Sequence, residues 1–451
     1  VPFIFAETAF FLLLLMWVDI LWKKRYHRRT GPPVTKEAYS VDVFIPVCRE
    51  PLEIVSRTVL AALGIAYQNK TVYVLDDGDD ALLKEFCESS GANYIKRSAH
   101  VNRKAGNLNF ELGRSHGDMI LTIDADQVAR PEMIDEIIGY FSISKVGLVQ
   151  TKQSYILPKD DPWGNSDEVF YDEMMPGKDQ DNAAISCGNG AMYRRKALED
   201  IGGFSTWNLV EDVQTSMELH DRGWTSVYHH EAYTEGIAPV EVVSQVKQRW
   251  QWSVDSLRMF FWDNPFFRKG LTFRQKVQYF HFGFNYIVFG VFLPIFFLIP
   301  IWALFSHGFM IQEPLWKYAL IRAPYFTFYV IFNVMATEHT HKFKIFQVQA
   351  GLFAAYFDAI LTALFNRRRI PQYKVTEKVA LQTGFMSRLF MCLPHLLITI
   401  LSVVAIAYGF VTIQDNAWFL MINIFWAVWT ITVLGRFIIL SLYPRLLVRW
   451  T

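Results

Sequence analysis

The chain has few cysteines, no surplus of charge of one sign and no histidine cluster, and each shortage excludes a class. Cys48, Cys87, Cys187 and Cys392 lie far apart in the 451 residues, without the close pairs that a zinc site or a compact disulfide framework needs, so they read as free thiols. Basic residues number 44 and acidic ones 43, a balance that gives nucleic acid no electrostatic footprint to bind. His229-His230 and the pair His339 and His341 lack metal-ligand spacing and read as structural. The first residue is Val rather than Met, which leaves room for a preceding signal or further membrane helices.

What is abundant is apolar: 52% of residues, with 16% aromatic, and a mean hydropathy of +0.16. For this length that indicates a membrane protein carrying a soluble part. Residues 3–22 are almost uninterrupted Phe, Leu, Ile, Val and Met, enough to cross about 30 Å of hydrocarbon. Lys23, Lys24, Arg25, Arg28 and Arg29 follow, which by the positive-inside bias ends this helix in the cytoplasm.

From about residue 41 to 240 the pattern becomes short β-branched runs, VDVFIPV, TVYVLDD, DMILTIDAD and VGLVQT, alternating with amphipathic stretches. This predicts an α/β domain with a largely parallel sheet, in which ligands bind beyond the carboxyl ends of the strands. Asp76-Asp77 and Asp124-Ala125-Asp126 fall at such ends.

Apolar stretches return near 281–305, 319–337, 346–365, 389–411 and 416–436, and 245–268, rich in Trp and Phe but broken by charges, reads as an interfacial helix. If 346–365 crossed the bilayer like the others, Arg367, Arg368 and Arg369 would face outside. If it lies flat, with Asp358 and two Gln on its polar face, they are cytoplasmic, the loop 412–415 lies outside without a basic residue, and Arg436, Arg445 and Arg449 return to the cytoplasm. The second arrangement is preferred.

Two carboxylates on a strand-end loop, as in Asp124-Ala125-Asp126, are hard ligands suited to Mg²⁺ or Mn²⁺, although such pairs also cap helices. Asp76-Asp77-Gly78 could bind ribose hydroxyls or a base edge, or simply make an Asp-Gly turn. Asp212, at the start of an amphipathic segment, could be functional or a helix cap.

In one order, however, these stretches resemble the processive family 2 glycosyltransferases, most closely the catalytic subunit of bacterial cellulose synthase. The matching runs are VDVFIPVCREP, VLDDG at 74–78, NRKAGNLN at 102–109, TIDAD at 122–126, VQT at 149–151, PGKDQDNAA at 176–184, SCGNGAMYRRKAL at 186–198, VEDVQTSMELHDRGW at 210–224, and YKVTEK at 373–378, similar to the family's gating loop. The resemblance implies an α/β, Rossmann-related GT-A domain over 40–244, inserted between an N-terminal membrane helix (1–24) and interfacial helices (245–280). These lead into a channel region (281–451) with an interfacial helix near 346–365 and a gating loop near 370–380. It implies Asp212 as general base, Asp124 and Asp126 as metal ligands, and Asp76, Asp77, Lys104, Arg249, Thr376 and Lys378 toward the nucleotide sugar, with Cys187, Gly188, Glu211 and Trp250 toward the acceptor.

The implied activity is inverting, processive synthesis of a β-glucan from UDP-glucose with Mg²⁺ or Mn²⁺, in a multi-pass plasma-membrane protein with its catalytic domain in the cytoplasm. Its partners are the UDP-sugar donor, the growing polysaccharide, the lipid bilayer and possible accessory export subunits. A chitin- or hyaluronan-type synthase using UDP-N-acetylglucosamine, and a non-processive transferase to a lipid carrier, stay open. The chain departs from the family pattern at Cys48, Asn189, Val210 and Val246, the last being where a Gln-x-x-Arg-Trp motif places its glutamine; these changes lie nearer the base and acceptor than the metal.

Overall fold

The computed structural model describes residues 2–24, 39–98, 100–159, 161–239, 241–309, 315–335, 342–367 and 383–444. Eight strands form one sheet: β1 (Val41–Val47), β2 (Lys70–Asp76), β3 (Asn93–Lys96), β4 (Met119–Thr122), β5 (Gln127–Ala129), β6 (Val146–Ile156), β7 (Ala191–Arg194) and β8 (Thr225–Ile237), in the order β3-β2-β1-β4-β7-β6-β8-β5. The β3-β2-β1-β4 half is parallel, whereas β7 runs antiparallel to both β4 and β6, so the sheet is mixed. β1 is buried along almost its whole length, as a strand covered on both faces requires, which is why it reads as a continuous apolar run rather than an alternating one.

Local chemistry fixes the turns beneath the site. Asp80 caps the helix Ala81–Ser90 by accepting from the Leu82 and Leu83 amides, and Gly91 closes it at φ 87°. The helix Arg103–Leu112 starts abruptly from Asn102 and Arg103, both at positive φ. A Cβ on Gly106 would stand 2.0 Å from the Val101 carbonyl oxygen, so only glycine permits this entry.

Four helices among the described residues are long and apolar enough to cross a membrane: Pro2–Lys24, Phe273–Ser306, Phe385–Thr412 and Ala417–Leu442. A further helix, Leu315–Met335, carries a shorter apolar stretch. The sequence predicts one flat helix over 346–365, but the structure breaks this region into Lys342–Gly351 and Phe353–Phe365, bent by 47°. The break falls at Gly351, where a Cβ would lie 2.9 Å from the Phe437 side chain, so the bend follows from close packing on the helix Ala417–Leu442. The two glutamines bond within the protein: Gln347 donates to the Thr432 carbonyl at 2.8 Å, and Gln349 accepts from the Tyr356 hydroxyl at 2.7 Å.

The sheet domain is joined to these helices through ion pairs and hydrogen bonds. Lys23 at the end of Pro2–Lys24 meets Asp181 at 2.6 Å, Lys24 meets Glu173 at 2.9 Å, and a Cβ on Gly177 would come within 2.3 Å of the Ile20 carbonyl. Asp181 also accepts from Gln278 at 2.8 Å, and the buried Lys178 donates to the Gln278 backbone carbonyl at 2.5 Å, its ammonium 4.1 Å from the Phe282 ring centroid. Arg436 reaches the Pro162 carbonyl at 2.8 Å.

Candidate active site

The carboxyl ends of β2 and β4 and the loop before the helix Asp212–Asp221 meet in one crevice. Lys104 is its hub: Nζ lies 2.7 Å from Asp124 Oδ1, 3.1 Å from Glu211 Oε1 and 2.9 Å from the Gly188 carbonyl. Burial opposes its charge, but Asp124, Glu211 and Asp212 outweigh that and hold the ammonium well above the usual lysine range. Gly188, at φ +74°, makes this packing possible, since a Cβ there would stand 2.9 Å from Lys104 Nζ, 3.3 Å from Glu211 Oε1 and 3.5 Å from Asp212 Oδ2.

Asp212 accepts from the Val213 amide at 2.6 Å. Burial first, and then the neighbouring Glu211 carboxylate, push its carboxyl up from 3.8 to about 7, against the opposing pull of the Val213 amide and Lys104. That value suits a group that must take a proton near neutral pH.

The two acids at the end of β2 divide their tasks. Asp76 is fully buried and accepts from the Gly78 amide (2.6 Å), the Asp80 amide (2.8 Å) and the Tyr94 hydroxyl (2.8 Å), so it shapes the loop and has no face turned to the crevice. Asp77 is gripped by Arg97 through two bonds of 2.6 and 2.5 Å, a fork geometry that fixes both planes. Arg97 also donates to the Val101 and Arg103 carbonyls, tying Asp77 to the Lys104 loop.

Asn189, where the family pattern differs, is used: its Oδ1 accepts from the Asp124 amide at 3.0 Å and its Nδ2 donates to Thr234 at 3.0 Å. Gln150, noticed in sequence only within a run, braces the same loop by accepting from the Cys187 amide (2.7 Å) and donating to the Asn189 carbonyl (2.8 Å). Among the described residues no group of three or more His, Cys, Asp or Glu side chains surrounds one point. A hard cation held by Asp124 and Asp126 would therefore take its remaining oxygens from water and a phosphate-bearing ligand, the partial carboxylate coordination usual for Mg²⁺ beside phosphates. Asp124, with its side chain 37% exposed in the crevice, fits that use.

A cavity of about 340 Å³ begins at Asp212, Cys187 and Val213 and runs to Trp17, Asn285, Tyr286, Phe346 and Gln349 on the apolar helices. Two of the expected residues are placed differently with respect to its wall. Trp250 is not on the lining: its indole N–H donates to Asp358 at 2.7 Å and its ring packs beside Leu209, Val254 and Ile360. Trp252, two residues on, lines the cavity, with the Arg249 guanidinium 4.8 Å from its ring centroid. Arg249 lines it too, held by Asp167 at 2.6 Å, and so shares this cavity with Cys187 and Asp212. Gln245 donates to the Trp163 carbonyl and Arg249 to the Gly164 carbonyl, so the glutamine four residues before Arg249 helps that arginine hold one segment. Thr376 and Lys378 lie outside the described residues.

A half-parallel sheet with an Asp-x-Asp loop at a central strand end is the architecture of the GT-A fold. A mannosyltransferase of Pyrobaculum calidifontis, solved with GDP-Man and Mn²⁺, shares the fold at a TM-score of 0.57 and 15% identity, over 82% of this chain and all of that one. Residues 39–254 match the family described as Glycosyltransferase like family 2, and residues 199–338 match Cellulose synthase. Residues 39–254 thus resemble family 2 glycosyltransferases, and the chain is similar in sequence to cellulose synthase catalytic subunits. It is 33% identical to the UDP-forming cellulose synthase 1 catalytic subunit of Komagataeibacter xylinus over 296 residues, 62% of this chain and 39% of that protein. Against the corresponding subunit of Xanthomonas axonopodis pv. citri it is 33% identical over 286 residues, 60% of this chain and 39% of that one. The chain therefore spans about two fifths of the length of these relatives.

Proposed function

We propose that the chain is a processive, inverting glycosyltransferase that polymerises glucose from UDP-glucose into a β-glucan and passes it across a plasma membrane, its catalytic domain in the cytoplasm. The observation that carries this reading is one continuous cavity that joins Asp212 to the apolar helices, walled by Trp17, Trp252, Tyr286 and Phe346. Flat aromatic faces with a few polar groups suit a sugar chain leaving the base in the direction of the bilayer. Lys23, Lys24 and Arg436 all meet the catalytic domain, which supports placing that domain on the positive, cytoplasmic side.

In this reading Asp77, presented by Arg97, receives the uridine, and Lys104 leaves its carboxylates to meet the phosphates. Asp124 and Asp126 would hold a divalent cation, which would supply positive charge to a diphosphate leaving group. The acceptor hydroxyl gives its proton to Asp212 as its oxygen bonds to the anomeric carbon, and the bond from that carbon to the diphosphate oxygen breaks in the same displacement. One base and one leaving group on opposite sides of the carbon invert an α-linked donor to a β-linked product.

The test is polymer synthesis by the protein in nanodiscs with UDP-glucose or UDP-N-acetylglucosamine and Mg²⁺ or Mn²⁺, with linkage analysis and Asp212→Asn as control. A long β-glucan absent from the control supports the reading. UDP release without polymer, or polymer from UDP-N-acetylglucosamine alone, overturns it.

A further inference from the structure

Asp255 lies on the helix Val242–Trp262, is 2% exposed and reaches the cavity. Its Oδ1 accepts from the Leu209 amide at 2.8 Å and its Oδ2 from the Val210 amide at 2.9 Å. Those two amides immediately precede Glu211 and Asp212, so one carboxylate holds the backbone that delivers the base. The grip extends along the helix: Asn208 donates to the Asp255 carbonyl at 3.4 Å, and Arg258 donates to the Trp207 carbonyl at 3.1 Å with its guanidinium 4.7 Å from the Trp207 ring centroid.

Arg249, Trp252, Asp255 and Arg258 recur every third residue, so they share a slowly turning stripe of one helix. The first two line the acceptor wall and the last two hold the loop 207–210. A rigid element therefore sets the distance between the wall on which a sugar stacks and the acid that takes its proton. A buried carboxylate is an expensive fastener, because its charge must leave water. Here burial, and the charge of Asp212 beside it, push it up to about 8, against the two amides and Arg258.

We infer that Asp255 is a positioning residue: it fixes Asp212 in register with the acceptor sugar on Trp252, so that the acceptor hydroxyl rather than water is deprotonated. This rests on the reading of Asp212 as general base. The consequence is a partition, since a base that drifts from the sugar still activates water, and donor is then hydrolysed instead of transferred.

The experiment measures UDP release and sugar incorporation together, with protein in nanodiscs. In Asp255→Asn one oxygen acceptor is replaced by an N–H donor facing an amide, so one of the two bonds is lost. Polymer formation is expected to fall by about tenfold or more, within the range that ångström-scale misplacement produces. The KM for UDP-glucose stays unchanged, and the ratio of hydrolysis to transfer rises several-fold. Asp255→Glu, which keeps both acceptor oxygens, recovers part of the transfer and serves as the readout if the asparagine variant does not fold. An unchanged ratio in the folded variant, or equal loss of both reactions with a lowered thermal midpoint, overturns the inference. Asp212→Asn, run alongside, separates the two ideas. If it still polymerises, the base assignment fails; if it is dead while Asp255→Asn behaves as wild type, only the positioning role fails.

Discussion

The displaced carboxyl of Asp212 makes the rate of the free enzyme a titration curve with a known hand. Its shift from 3.8 to about 7 is worth ~4 kcal/mol at 1.36 kcal/mol per unit, with burial the larger cause and the Glu211 carboxylate the next. A base works when deprotonated, so kcat/KM for UDP-glucose should be flat above about pH 7 and fall tenfold per unit below it. Glu211→Gln keeps the shape and an oxygen for Lys104 but removes one negative charge and leaves Lys104 more strongly drawn to Asp212. Both changes favour the ionised base, so the acidic limb should move to lower pH by about one unit, less than half the whole displacement because burial remains. The assay is initial UDP release across pH 5–9 in nanodiscs, with donor well below KM. A limb that stays put in Glu211→Gln refutes the charge coupling, and a flat wild-type profile refutes Asp212 as the base.

The same displacement has a stability counterpart. A carboxyl raised in the fold favours the native state fully below its unfolded value of 3.8, and that contribution is lost as pH rises through about 7, so Asp212→Asn should have a higher thermal midpoint than wild type at pH 8, with the gap closing toward pH 5. Gly177→Val drives a side chain against the Ile20 carbonyl, 2.3 Å from the nearest possible Cβ; a loss of about 1–3 kcal/mol is expected, read as a lower thermal midpoint in detergent. Trp252→Ala removes the ring on the cavity wall and should shorten the polymer at unchanged UDP affinity, whereas Trp250→Ala should act mainly on stability, as gel filtration of product and a UDP binding isotherm will show.

Much of the site was readable because its acids sit where strands must end. The runs before Asp77 and Asp124 are strongly apolar and β-branched, and an acid closing such a run is pushed to the sheet's carboxyl edge. What could not be read depends on which way a side chain turns. Asp76 and Asp77 are equivalent in sequence, yet only the backbone turn at Gly78 decides that one is consumed in the loop. Trp250 and Trp252 differ by about 200° around a helix, and the partner that claims Trp250, Asp358, is 108 residues away. Asp255 looked like ordinary punctuation in an interfacial helix, since its partners are backbone amides that leave no mark in sequence. The break beside Gly351 depends on Phe437, which is likewise remote along the chain.

The ion-paired junction also orders events during synthesis. Lys23 is in place early, but its partner Asp181 emerges over 150 residues later, and Asp181 in turn needs Gln278 from a segment that must itself enter the bilayer. Domains generally consolidate as units while the chain is made. This one cannot close its last polar contacts until a downstream apolar helix has been inserted beside it. Until that helix arrives, Asp181 has Lys23 but not Gln278, and Lys178 lacks the Gln278 carbonyl that accepts its hydrogen bond, so the seam between domain and membrane helices is the last part of the fold to become polar-satisfied.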